Sequence, residues 1–293
     1  MTGAIRLGLI GLGEAGSAIA AGLAGQGVAG VTAFDIRADD PTVRASADLA
    51  AVTLAGSLPE LVASADVLLC LTKAAGAVAV ASAAAASLHR GQIYADLNSA
   101  SPQVKRAAAA FIEPTGAYFA DVAVMAAVSP HRHRVPLLVS GPGAAAFGRA
   151  AAQLGMTAEV LGGRVGQASA VKMYRSLLIK GLEALVFDCA LGAGAEGAAD
   201  RVFESMAGSL PFDDWIELAG YLMGRTVAHG SRRAAELREV GSTLTEAGVD
   251  PALALAAAQR LDWVAGLGLK DKFAGRAAAG YQEILAEIRE SGG

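Results

Sequence analysis

The feature that most limits what this chain can fold into is a change of pattern near Gly166. Before it, short apolar runs alternate with helix-like stretches. "IRLGLI" (5–10), "VTAFDI" (31–36), "ADVLLCLT" (65–72), "QIYADLN" (92–98), "YFADVAV" (118–124), "VPLLVSG" (135–141) and a run near 157–161 have the length and composition of buried strands. Between them lie "EAGSAIAAGLAGQG", an alanine-rich stretch over 74–88, a helix opened by Ser101 as N-cap with Pro102 at its first position, and a helical piece over 143–153. Alternation of this kind specifies an α/β fold with a parallel, doubly wound sheet. After Gly166 the strand signals stop. A helix opened by "QASAVKM" reaches about Leu191, further helices occupy parts of 200–208, 212–247 and 251–290, and the tail "ESGG" is expected to fray. The pattern therefore predicts a doubly wound domain over 1–164 and an all-helical domain over 165–293.

Composition removes several classes of function. The 293 residues are 54% hydrophobic, enough to bury two cores. The net charge of -4 gives no basic footprint for nucleic acid, and 5% aromatic residues give no stacking platform for single strands. Cys70 and Cys189 lie in the apolar runs "VLLCLT" and "VFDCAL", which reads as two buried free thiols in a reducing compartment, and no zinc spacing exists. Glu14 breaks what would otherwise resemble a secretory signal, and the run over 74–88 is too short to span a bilayer. The expectation is a soluble, cytoplasmic protein with no membrane or nucleic-acid partner.

Chemistry enters at "GLIGLGEAGSA". Gly11-Leu12-Gly13-Glu14-Ala15-Gly16 is a GxGxxG that follows a strand and opens a helix. Gly11 allows the tight turn, Gly13 lets a pyrophosphate approach the backbone, and Gly16 lets helix and strand pack closely. The free N–H groups and the positive end of the helix then favour phosphate. Asp35, at the end of the next strand, supplies the carboxylate that accepts a ribose 2′-hydroxyl in such turns. It favours NAD, while Arg37 nearby leaves NADP open. The fold expectation sharpens to a Rossmann-like domain.

The helix from Gln167 carries a lysine near its start. Projected at about 100° per residue, Lys172, Ser176, Ile179 and Glu183 share one face, with Arg175 at its edge and mostly apolar residues elsewhere. Two readings of Lys172 stand at this point. It snorkels or pairs with a nearby acid, or it sits in a cleft beside a nicotinamide. A partly desolvated lysine has a lowered pKa and exchanges a proton with a substrate oxygen.

Three further segments, in order, carry a resemblance. "DLNSASP" (Asp96–Pro102), "DVAVMAAVSP" (Asp121–Pro130) and "GQASAVKMYRS" with Lys172 resemble the motifs of the β-hydroxyacid dehydrogenase family, which includes 3-hydroxyisobutyrate dehydrogenase and 6-phosphogluconate dehydrogenase. The likeness covers about the first 190 residues. It implies hydride transfer between NAD(P) and a small hydroxy acid or related alcohol, with Lys172 as general acid/base. It also implies Asn98, Ser99, Met125 and Ser176 around the substrate, and Leu71, Thr72 and Asn98 beside the cofactor. A homodimer follows from the resemblance as well. The departures are specific. Ser176 replaces the family's asparagine, "MAAVSP" replaces its glycine-rich substrate loop, and Arg175, Ser176 and Ile179 replace the residues of 6-phosphogluconate dehydrogenase proper. This combination is similar to a subgroup with its own C-terminal domain. Imine reductases resemble the same family but generally lack the lysine, so imine or ketone reduction is the alternative, and a non-catalytic dinucleotide sensor is a third.

Two charged stretches complete the reading. "SPHRHRVP" (129–136) reads first as a solvated loop and second as an anion-binding loop. "AHGSRRAAELREV" (228–240) reads as a helix with a surface salt-bridge lattice, from which Arg233 or His229 would at most reach a substrate.

Overall fold

The computed structural model describes residues 4–206, 214–273 and 280–290. The chain divides into two compact units, Met1–Lys172 and Met173–Gly293. Of the tail "ESGG", Glu290 ends the last helix, and the expected fraying of 291–293 lies outside the described residues.

The first unit runs β1 (Leu7–Ile10), α1 (Glu14–Gly25), β2 (Thr32–Phe34), α2 (Pro41–Leu49), β3 (Thr53–Leu54), α3 (Leu58–Ser64), β4 (Val67–Cys70), α4 (Ala77–Ala85), β5 (Ile93–Asp96), α5 (Pro102–Ile112), β6 (Tyr118–Val124), α6 (Val128–His131), β7 (Leu137–Ser140), α7 (Ala144–Gln153) and β8 (Ala158–Gly162). Its strands form one eight-stranded sheet in the order β3-β2-β1-β4-β5-β6-β7-β8. Successive strand residues feed opposite faces. Leu7, Leu9, Val67 and Leu69 pack with Ile19, Leu23, Val43 and Phe147 on one face. Ile10, Leu68, Tyr94 and Phe119 pack with Leu61, Ala81, Ala108 and Ile112 on the other. Both faces are covered by helices, which is why the central strands read as continuous apolar runs. Ser101 caps α5 by accepting from Val104 N at 3.4 Å, with Pro102 at the first position, as expected.

The structure departs from the sequence reading in three ways. β3 has two residues, and α2 and α3 precede and follow it inside a stretch without a clear apolar period. β7 runs antiparallel to β6, with Val124 opposite Leu137 and Asp121 opposite Ser140. A parallel return needs a long crossover, usually a helix, and the four-residue α6 leaves the chain to turn straight back. Cys189 is exposed on its helix, whereas Cys70 is buried, so the expectation of two buried thiols is corrected for Cys189.

The second unit is helical: α8 (Gln167–Ala195, which begins in the first unit), α9 (Ala199–Met206), α10 (Trp215–Glu246), α11 (Ala252–Gly266), α12 (Leu269–Lys272) and α13 (Tyr281–Glu290). Phe187, Phe203, Trp215, Met223, Tyr281 and Ile284 form its main core. Small residues let α10 and α11 approach closely: a Cβ on Gly230 would stand 2.8 Å from the Leu261 carbonyl oxygen.

Candidate functional site

The sheet register gathers the candidate residues along one edge. Phe34 pairs with Ile10, Ile10 with Cys70, Cys70 with Asp96, and Asp96 with Asp121. These are the carboxyl ends of β2, β1, β4 and β5, with Asp121 level with them on β6. The segments that leave this row carry Asp35, the glycine turn, Leu71–Thr72 and Asn98–Ser99. Open α/β sheets bind ligands outside such an edge, where the strand order reverses; here β1 lies between β2 and β4.

The turn between β1 and α1 has the geometry its glycines require. Gly11 has φ +101°, and a Cβ there would stand 2.7 Å from the Leu71 carbonyl oxygen. A Cβ on Gly16 would overlap the Gly11 carbonyl oxygen. Gly13 is different: a Cβ there meets nothing within 4 Å, and no side chain caps α1. Open space over the first turn of a helix suits a phosphate, so these residues fit a dinucleotide. Asp35 is buried and braces the turn. Its Oδ2 accepts from Leu12 N at 2.8 Å and its Oδ1 from Arg37 N at 2.9 Å. Each oxygen keeps a lone pair for a ribose hydroxyl. The Arg37 guanidinium is exposed and lies 3.9 Å from both Asp35 and Asp40. Glu14 is exposed and accepts from Ser129 Oγ of α6 at 3.3 Å, and Ala15 is half-buried.

Beside the turn, Thr72 Oγ1 donates to Asn98 Oδ1 at 3.3 Å. Asn98 Nδ2 donates to Asp96 Oδ1 at 2.7 Å and lies 3.3 Å from Cys70 Sγ. Asn98 is buried and its carboxamide is engaged by these neighbours, while Leu71, Thr72 and Ser99 are half-buried at the edge. Burial pushes the Cys70 thiol up, with Asp96 adding to the effect, so it stays protonated and inert. Burial likewise holds the Tyr94 hydroxyl well above its ordinary value.

Sequence reasoning missed the charged group beneath this edge. Lys105 on α5 is fully buried, with Nζ 3.2 Å from Asp96 Oδ1 and 3.8 Å from Asp121 Oδ1. "PQVKRAAAA" reads as an ordinary amphipathic turn; the available signal was an aspartate ending one apolar strand and another inside the next, which need a cation. Asp121 Oδ2 accepts from Gly166 N at 3.0 Å, Ser169 N at 3.2 Å and Ser169 Oγ at 3.1 Å, while Ser140 Oγ accepts from Ala168 N at 2.9 Å. The start of α8 is thereby fastened to β6 and β7. Lys172 follows on that helix, half-buried, and Ser176 is half-buried one turn later. Met125 is half-buried just past β6, its N–H donating to the Pro136 carbonyl at 2.9 Å.

The two charged stretches are partly engaged elsewhere. His131, Arg132 and Arg134 are exposed, as a solvated loop requires, but His133 is buried against α1. Its Nε2 donates to Gln26 Oε1 at 2.7 Å, and only the missing Cβ of Gly22 makes room for the ring. In the second unit Arg232 pairs with Glu236 on the surface of α10, as expected. Arg233 is buried and ion-paired with the buried Glu183 of α8, which corrects its reading as a surface residue. Arg225 lies 3.6 Å from the same carboxylate. Lys180 is buried and 2.8 Å from Glu236; burial lowers its pKa although Glu236 opposes the shift. Among the described residues, no cluster of side chains could hold a metal ion, and no helix is long and apolar enough to cross a membrane.

A conserved hypothetical protein from Sinorhizobium meliloti is 34% identical, with 99% of this chain and 97% of that one covered and a TM-score of 0.84. MTH1747, a conserved protein of unknown function whose structure is similar to 3-hydroxyacid dehydrogenases, is 28% identical over 91% of this chain and 99% of that one, with a TM-score of 0.76. The fold alone is shared with the 3-hydroxyisobutyrate dehydrogenase of Mycobacterium tuberculosis (20% identical, 89% and 94% covered, TM-score 0.73) and a reductive aminase from Aspergillus terreus (21%, 94% and 96%, 0.56). An uncharacterized 28.5 kDa protein of Methanothermus fervidus is 27% identical over 148 residues, half of this chain and 56% of that relative's length. Residues 193–264 match a domain of unknown function, DUF1932. Residues 6–166 match the NAD binding domain of 6-phosphogluconate dehydrogenase, and the chain belongs to that family.

Proposed function

We propose that this protein is an NAD(P)-dependent oxidoreductase that moves hydride between the nicotinamide and a small hydroxy acid or related alcohol. The observation that carries the reading is the fastening of the Lys172-bearing helix start to β6 through Asp121, on the same strand row that carries the dinucleotide turn. The bound nicotinamide supplies the hydride acceptor or donor. In oxidation Lys172 takes the hydroxyl proton as the carbinol carbon gives up hydride; in reduction it returns that proton to the oxygen. Asp35 favours NAD over NADP by receiving the ribose hydroxyl and repelling a 2′-phosphate. Ser99, Met125 and Ser176 contact the substrate, and Asn98, held by Asp96, orients the segment beside it. A homodimer belongs to the same reading, and sedimentation of the purified protein gives the subunit number.

The test is oxidation of a panel of small 3-hydroxy acids and polyol acids, with NAD and NADP side by side. Wild type is expected to turn over at least one member. Lys172→Ala is expected to lose a factor of about 10²–10⁴ in turnover, the usual contribution of a general acid/base, while keeping its affinity for NADH. A folded Lys172→Ala protein with wild-type turnover overturns the role. A second reading, imine or ketone reduction, is supported by the fold shared with the reductive aminase. The substitution of "MAAVSP" in the substrate loop is compatible with it, and Lys172 weighs against the imine version.

A further inference from the structure

Asp96 and Asp121 stand side by side in register on β5 and β6, and both are buried. Two adjacent buried carboxylates repel each other and call for a compensating charge. Lys105 supplies it, reaching both carboxylates and donating to the Asp96 carbonyl at 2.6 Å. Asp121 Oδ1 accepts no hydrogen bond and faces this ammonium.

Each carboxylate has a second task. Asp96 Oδ1 accepts from Asn98 N at 2.9 Å and from Asn98 Nδ2 at 2.7 Å, which sets the segment that follows β5. Asp121 Oδ2 accepts from Gly166 N and from both Ser169 groups, which sets the segment that opens α8. The cation therefore stands at the junction of two segments that leave different strands. Its aliphatic stem needs no charge to fill space; its ammonium is what allows both aspartates to work as acceptors at once.

We propose that Lys105 is a positioning residue: by neutralising Asp96 and Asp121 together, it holds the Asn98 segment and the Lys172-bearing start of α8 as one preorganised unit. The functional sense of this rests on the role given to Lys172 above. Groups set this way need no rearrangement when substrate arrives, which is where binding energy is otherwise spent.

The experiment compares ligand-free wild type, Lys105→Met and the double variant Lys105→Met/Asp121→Asn by amide hydrogen exchange. Site amides are Gly166, Ser169 and Asn98; control amides are Leu9 and Leu69 in the sheet. Lys105→Met is expected to speed exchange at the site amides about tenfold or more beyond the rise at the controls, which follow the general loss of stability that an uncompensated buried carboxylate causes, since a lost charge-assisted bond exceeds the tenfold equivalent. Removing the Asp121 charge as well is expected to slow the site amides back toward wild type. The ¹³C-dimethyl signal of Lys172, assigned with Lys172→Arg, is expected to shift in the single variant and return in the double. A space-filling role gives the opposite order, with Lys105→Met protected and the double variant worse, and that order overturns the proposal. A uniform rise at site and control amides overturns it too. If Lys105→Met does not fold, recovery of a folded protein by adding Asp121→Asn supports the proposal, and failure of both overturns it. None of these readouts needs turnover, so a failed substrate panel and a failed Lys105 role give separate signatures.

Discussion

Gly13→Ala separates the fold's demands from the ligand's. The position has φ -68° and ψ -166°, which any residue adopts, and an added Cβ meets nothing within 4 Å. Two stability effects oppose each other. Alanine restricts the unfolded chain, worth about 0.4–1 kcal/mol in favour of the fold. It is also a poorer N-cap than glycine, at a cost of about 1 kcal/mol. The net change is about 0.5 kcal/mol, or roughly 1–2 °C in Tm for a chain of this size. Binding is another matter. The new methyl occupies the open space over the first turn of α1, where the proposed function puts the pyrophosphate. Losing one hydrogen bond to a charged group costs about 1.5–3 kcal/mol, which is roughly 10–150-fold in Kd. The assay is NADH and NADPH fluorescence titration beside thermal melting. The expected result is an unchanged melt with binding weakened at least tenfold, and wild type preferring NADH. Unchanged affinity in Gly13→Ala would refute the placement of the pyrophosphate at this turn.

Other expectations follow from groups outside that turn. Burial, with Arg134 and Arg132 adding to it, lowers the His133 pKa from its ordinary value near 6.5. The unfolded chain then binds more protons just below that value, so stability rises with pH through the window and is lost as pH falls. Urea melts between about pH 5 and 8 are expected to show this slope, and His133→Asn to flatten it; an equal slope in the variant assigns the effect elsewhere. In the second unit, Arg233→Met removes the hydrogen-bonded partner of the buried Glu183, leaving Arg225 at 3.6 Å, and is expected to cost about 3–5 kcal/mol. Adding Glu183→Met is expected to restore most of it, because Arg225 is exposed enough to be hydrated. Trp215 and Trp263 both lie in this unit and report its unfolding; a double variant no better than the single removes the pair from the account.

Much of the architecture was legible because it rests on local signals. The glycine turn and the Ser101–Pro102 cap are each fixed by backbone conformation within a few residues and stand where the pattern put them; Asp35 stands just past β2 as expected, although the Leu12 amide it accepts from is distant in the chain. The direction of β7 was not legible, because a strand's apolar content says nothing of which way its neighbour runs. β3 is too short to carry a period. Cys189 sits among apolar residues in sequence, yet helical spacing turns it outward. The buried charges were hidden for a related reason. Lys105 and Arg233 lie in stretches that look like solvated helix surface, and their partners are distant in the chain: Asp96 and Asp121 for the one, Glu183 for the other. Lys172 stands out in the sequence because it lies in an apolar helix start, whereas Lys180, on the same helix and more deeply buried, is explained only by Glu236, distant in the chain.

The bond from Leu12 N to Asp35 gives cofactor choice a history. On the reading above, the carboxylate that selects among dinucleotides is also the acceptor that steadies the phosphate turn. A lineage drifting toward the 2′-phosphorylated cofactor cannot simply discard it, since the buried Leu12 amide would be orphaned in the same step. Some second acceptor has to arise first, or a residue of similar reach has to replace it. The order of substitutions is thereby constrained, and descendants that made the exchange should carry the mark of it beside the turn.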